Sequence, residues 1–149
     1  MFLGFDKIFD TNFLDGLLQQ AKESPRLRQN YDLRNSSEDS SQRMLNDLLP
    51  GTQVPIHKHE TTAETVVCLR GKLEEIIYEE VVEYIKDNDA KSFDGGDVMR
   101  KVSYRETARY LLSPTEGNHG MQIPPNTWHS INVIEPSIIF EAKDGKYIG

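Results

Sequence analysis

His57 and His59 are separated by a single residue, and Glu64 follows after the turn-compatible Glu60-Thr61-Thr62. In an extended chain alternate side chains share a face, so the two imidazoles point one way and Lys58 the other. Glu64 opens the apolar run Thr65–Leu69 and can bring a carboxylate to the same point. A third histidine, His129, follows the proline-rich turn Pro124-Pro125-Asn126 at the head of another strand-like run. Three neutral imidazoles and one carboxylate make a mixed nitrogen and oxygen set that suits Fe, Mn, Ni, Co or Zn far better than Ca or Mg. The residues therefore predict one divalent transition metal on His57, His59, Glu64 and His129, with coordination positions left for water or substrate. The bland alternatives are a surface strand with incidental polar residues for the first three, and a core histidine beside Trp128 for the last. His119, in the loop Glu116–Gly120, is left out of the set.

A second group concerns charge. Arg26, Arg28, Arg34 and Arg43, with Asn30 among them, concentrate positive charge in an otherwise acidic chain. They could fold over the site and offer guanidinium groups to an anionic small molecule, or they could pair with Asp32, Glu38 and Asp39 on the surface. Tyr31 or Tyr78 could move a proton and Arg28 or Arg43 could position an anion, but residue type alone assigns none of them as catalytic. Cys68 shares the strand parity of Glu64 and reads as a small buried hydrophobe. Glu79, Glu80, Glu83, Asp87 and Asp89 read as a solvated face.

The elements that must position these groups follow from periodicity. Phe13, Leu14, Leu17, Leu18 and Ala21 recur at helical spacing, with Asp10 or Thr11 to cap the start and Ser24-Pro25 to stop it. Residues 26 to 34 form an extended arm, and Asn35–Ser41 a polar loop. From there the pattern becomes short apolar or alternating runs broken by Gly, Pro, Asn and Asp, which indicates an all-β sandwich or barrel. The expected strands are Gln42–Leu49, Glu64–Arg70, Leu73–Tyr78, Met99–Tyr104, Arg109–Leu112, Gly120–Ile123, His129–Val133 and Ile138–Ala142. The stretch Leu73–Lys86 also fits a helical stripe, but its Tyr, Ile and Val content favours strand for the first half. Lys86–Asp97 reads as a solvated hairpin tip.

At 149 residues the expectation is one domain, residues 1–41 forming a helix and arm and residues 42–149 a barrel. A net charge of −7 disfavours nucleic acid and anionic membrane as partners. One cysteine cannot form an internal disulfide, which suits a reducing compartment. The start Met1–Lys7 lacks a basic region leading into a long apolar core, and no run approaches a membrane span, so a cytoplasmic location is expected.

Gly51–Gly71 matches the first cupin motif, G-x5-H-x-H-x4-E-x6-G, at every fixed position. The second motif, G-x5-P-x-G-x2-H-x3-N, is met at Pro124 and His129. Asn126 replaces its glycine, Asn132 falls one residue early, and Gly117 lies one residue too far upstream. Asn tolerates positive φ better than other non-Gly residues, so Asn126 should keep the turn. More narrowly the chain resembles the WbuC-type cupin fold metalloproteins along Ser24–Tyr31, Gln42–Leu45, Pro50–His59, Thr127–His129 and Phe140–Tyr147, with Lys146 where a proline is usual. The resemblance implies a cupin jelly-roll β-barrel (double-stranded β-helix), a bound metal and a link to bacterial surface-polysaccharide biosynthesis. From the ligand set, the expectation is a metal-dependent enzyme, an isomerase, lyase or oxygenase, acting on a small polar metabolite such as a sugar or nucleotide-sugar derivative. The alternative is a ligand-binding or sensing cupin without turnover. Cupin barrels often pair through sheet edges or exchanged arms, so a homodimer is expected.

Overall fold

A computed structural model describes residues 6–87 and 97–146. Helix α1 spans Thr11–Glu23, and the Asp10 carboxylate caps it by accepting the Phe13 N–H at 2.9 Å. Ser24 ends it in extended backbone, as expected before Pro25. The arm follows as β1, Arg28–Asp32, and then come β2, Ser41–Leu48, β3, Glu64–Asp87, and β4, Asp97–Leu112. After a 3-10 turn at Pro114–Glu116 the chain closes with β5, Gly120–Ile123, and β6, Trp128–Asp144.

The strands form one antiparallel sheet in the order β1-β2-β6-β3-β4, with β5 on the other side of the first part of β3. Glu64–Val67 therefore lies between β5 and the end of β6, while Leu73–Tyr78 lies between β4 and the start of β6. The change of neighbour coincides with three register shifts in the β3–β6 pairing between Cys68 and Leu73. Such shifts bend a strand and raise its twist, and here they fold the long strands around the core.

Two apolar layers result. Leu48, Val66, Cys68, Leu73, Leu112, Ile123, Val133 and Ile139 form the inner core. Leu14 and Leu17 of α1 pack on Leu45 and Ile138 to cover the opposite face. Full burial of each such side chain contributes roughly 1.5–3 kcal/mol.

Several expected breaks are absent. Glu64–Arg70 and Leu73–Tyr78 belong to the one strand β3, which stays extended to Asp87, so the helical alternative for Leu73–Lys86 fails. Met99–Tyr104 and Arg109–Leu112 merge in β4, and His129–Val133 and Ile138–Ala142 in β6. Most of the expected hairpin tip lies outside the described residues, although Asp87 pairs with Asp97 at its base. Among the described residues no helix is long and apolar enough to cross a membrane.

Candidate metal centre

The histidine pair is not on a regular strand. The segment between β2 and β3 is irregular, and it is held by an isolated antiparallel bridge between His57 and His129 and by the Asn126 N–H donated to the His59 carbonyl at 2.6 Å. Local extension still sends both imidazoles inward. Asn126 adopts φ 59°, the left-handed conformation expected of the residue that replaces a glycine there. Glu64 sits at the head of β3, buried and on the same face as Val66 and Cys68.

The four side chains converge. Their ligating atoms all lie within 4.8 Å of one another. The Glu64 Oε2 is 3.1 Å from His129 Nε2 and 3.2 Å from His59 Nε2. The ring centroids of His57 and His129 are 4.2 Å apart.

Backbone carbonyls fix the rings. His57 Nδ1 lies 2.8 Å from the Pro55 carbonyl and His129 Nδ1 lies 2.9 Å from that of Thr127. A carbonyl only accepts, so each Nδ1 carries the proton and each Nε2 presents its lone pair, the tautomer a metal requires. His59 Nε2 is buried without an aligned hydrogen-bond partner. An orphaned buried nitrogen beside a carboxylate and two inward lone pairs is what a cation would satisfy. Ligands about 2.1 Å from a common ion stand no more than about 4.2 Å apart, so the set is nearly drawn in.

Electrostatics agree with that chemistry. Burial lowers the His57 pKa and outweighs the opposing hydrogen bond to the Pro55 carbonyl, which keeps the ring neutral. Burial works to raise the Glu64 pKa, but the close approach of the His129 and His59 imidazoles outweighs it and holds the carboxylate ionised.

The cluster opens on a cavity of about 320 Å³. Its walls include groups that strand periodicity did not single out. Glu75 is 1% exposed with Oε2 lacking a partner, and burial, then the Glu64 and Glu141 charges, raises its pKa well above the usual range. Glu141 accepts from the Asn46 amide at 2.8 Å, and burial, then the Glu64 charge, pushes it to about 8. The signal was available as an acid at an inward position of an apolar alternation, Leu73-x-Glu75 and Ile139-x-Glu141.

The arginine cluster divides. Arg26 and Arg28 line the cavity, whereas Arg34 pairs with Asp32 at 2.8 Å and Arg43 with Asp39 at 3.1 Å. Neither expected tyrosine lines the cavity: the Tyr31 ring stacks edge-on with Phe13, and the Tyr78 hydroxyl bonds Ser130 Oγ at 2.9 Å. Cys68 is buried in the inner core. The His119 side chain is exposed, and its carbonyl accepts the Cys68 N–H.

Solved structures share this architecture at low identity. A Streptococcus pyogenes protein of unknown function, SPY1581, superposes with TM-score 0.54 and 12% identity over 98% of this chain and 93% of its own. An oxalate oxidase in complex with glycolate gives 0.52 at 15% identity, over 85% of this chain and 55% of that one. The cupin domain of Schizosaccharomyces pombe Cnp3 gives 0.50 at 12%, over 79% and 64%. This chain thus spans about half of the oxalate oxidase and just under two thirds of the Cnp3 chain. These likenesses establish the fold, a cupin jelly roll, and nothing finer. No curated protein matches the chain. A family model covers residues 9–89, which include His57, His59 and Glu64 but not His129. With more than half its length matched, the chain belongs to the family described as a domain of unknown function, DUF6016, and it carries the cupin fold.

Proposed function

We propose that this cupin is a metal-dependent enzyme acting on a small polar metabolite, with His57, His59, Glu64 and His129 holding one divalent transition metal. The observation that carries the reading is the convergence of three imidazoles and an ionised carboxylate within 4.8 Å, at the wall of a cavity. When bound, the ion would supply Lewis-acid chemistry, polarising a substrate oxygen or activating a water. Pro55 and Thr127 orient the imidazoles through their carbonyls. Glu75 and Glu141, kept neutral by burial, can donate or accept hydrogen bonds from hydroxyl groups.

The cavity is at the small end of the range for ligand sites, which favours a single sugar or sugar-like acid over a nucleotide sugar. The resemblance to WbuC-type cupins supports a place in surface-polysaccharide biosynthesis. Pairing of two copies belongs to the same reading, because the outer edge of β4 is unpaired among the described residues and carries exposed Val98, Met99 and Tyr110. Light scattering should then give twice the 17.1 kDa chain mass.

Elemental analysis of protein purified without a metal-affinity tag tests the central claim. About one transition metal per chain is expected, and none in the His57→Ala/His59→Ala variant. Equal metal content in the variant removes the proposal.

A further inference from the structure

Eight arginines lie among the described residues, and six of them pair with a carboxylate: Arg34, Arg43, Arg70, Arg100, Arg105 and Arg109. The two that do not, Arg26 and Arg28, are the two that line the cavity beside the histidine cluster. We propose that Arg26 and Arg28 form an anion subsite, which holds the carboxylate or phosphate of a small hydroxylated molecule whose other end reaches the His57, His59, Glu64 and His129 cluster. The second half of that statement rests on the metal-site reading above; the anion subsite itself does not.

Three observations carry it. Arg28 Nε is buried with no hydrogen-bond partner, and a buried guanidinium N–H without an acceptor is costly to leave unpaired. The charge acting on Arg28 is that of Arg26: burial first, and then this like charge, lower its pKa. Two neighbouring cations at one cavity, neither of them paired with a carboxylate, make a standing attraction for an anion.

The backbone between them is the third. Leu27 adopts φ 57°, a conformation that a branched side chain rarely takes. It is locked on both sides, since its N–H is donated to Ser24 O at 3.0 Å and its carbonyl accepts the Leu49 N–H at 3.0 Å. The Thr52 hydroxyl bonds the Arg26 carbonyl at 2.7 Å. Strain of this kind persists only where surroundings over-determine it, and here it holds the segment that carries both guanidinium groups.

The test is calorimetric titration of the full chain with inorganic phosphate, D-gluconate and uncharged D-glucose. Phosphate and gluconate should both bind, and gluconate more tightly than glucose by roughly tenfold or more. In Arg26→Met/Arg28→Met, which keeps the apolar stems, binding of both anions should fall roughly tenfold or more and the preference over glucose should vanish. Arg34→Met/Arg100→Met removes the same charge elsewhere and should change neither affinity, with circular dichroism checking that both variants fold. The His57→Ala/His59→Ala variant separates the two readings: it should still bind phosphate and lose only the added affinity for gluconate. Failure of both anions to bind, equal binding of gluconate and glucose, or unchanged anion binding in the Arg26/Arg28 variant overturns the subsite, whatever metal content shows.

Discussion

His57 and His129 exchange backbone hydrogen bonds of 3.0 and 2.8 Å across an isolated bridge. The bridge ties the irregular segment before β3 to the head of β6, so two of the candidate ligands are set by the main chain before any ion arrives. A site pre-formed in this way binds with little ordering cost.

That arrangement predicts a pH profile for metal affinity. Coordination needs neutral imidazoles, so affinity falls as pH falls and protons compete. Burial lowers the His57 pKa below the ordinary value of 6.5, which moves this competition to more acid pH. Titration with Co(II) should show affinity falling on acidification, most steeply below about pH 6.5. A steep loss already between pH 8 and 7 would contradict the burial argument.

Asn126 is the hinge of the turn that delivers His129. At φ 59°, with its N–H on His59 O, it links both halves of the site. Asn126→Val places a β-branched side chain in left-handed backbone and should cost about 1–3 kcal/mol in urea unfolding, with weaker Co(II) binding. Asn126→Gly should keep both properties close to the parent's. Equal behaviour of the two variants would mean that backbone conformation at this position does not matter.

The parts of the site carried by local chemistry were legible in the sequence. Asp10 and Ser24-Pro25 marked the helix, and the spacing of His57, His59 and Glu64 identified the cluster without any strand at the histidines. What periodicity could not see was pairing through irregularities. The chain between Arg70 and Leu73 reads as a break, yet β3 runs through it on register shifts. Likewise Thr107 is an extra residue opposite the Ile77/Tyr78 step, and it hides the continuity of β4. The division of the arginines depended on which carboxylates the fold brings near, and side-chain identity alone does not encode that.

Gly71 closes the first motif for a steric reason. Its φ is 96°, and a Cβ there would sit 2.2 Å from Pro136 O and 2.4 Å from Ser137 Oγ. The backbone of β6 cannot retreat without disturbing the bonds that Ser137 Oγ makes with the N–H and carbonyl of Lys72. Gly71→Ala should therefore destabilise by roughly 2–4 kcal/mol in urea unfolding, more than strain at positive φ alone. Gly117→Ala, at φ 83° with open space around it, should cost only about 1 kcal/mol. Similar losses at the two positions would show that the contact with β6 contributes nothing.

Asp47 on β2 is wholly buried with neither carboxylate oxygen hydrogen-bonded, and burial raises its pKa to about 7. The unfolded chain holds it near 3.8, so between these values the folded state retains a proton that the unfolded state has lost. Its contribution to stability is complete at low pH and is lost as pH rises through about 7. Asp47→Asn removes the titration. Relative to the variant, the parent should lose about 2–3 kcal/mol of unfolding free energy from pH 5 to pH 8, measured by urea titration with a chelator present. At pH 8 the variant should be the more stable protein. Curves that run parallel across this range would show that Asp47 stays ionised in the folded chain and finds partners for its charge.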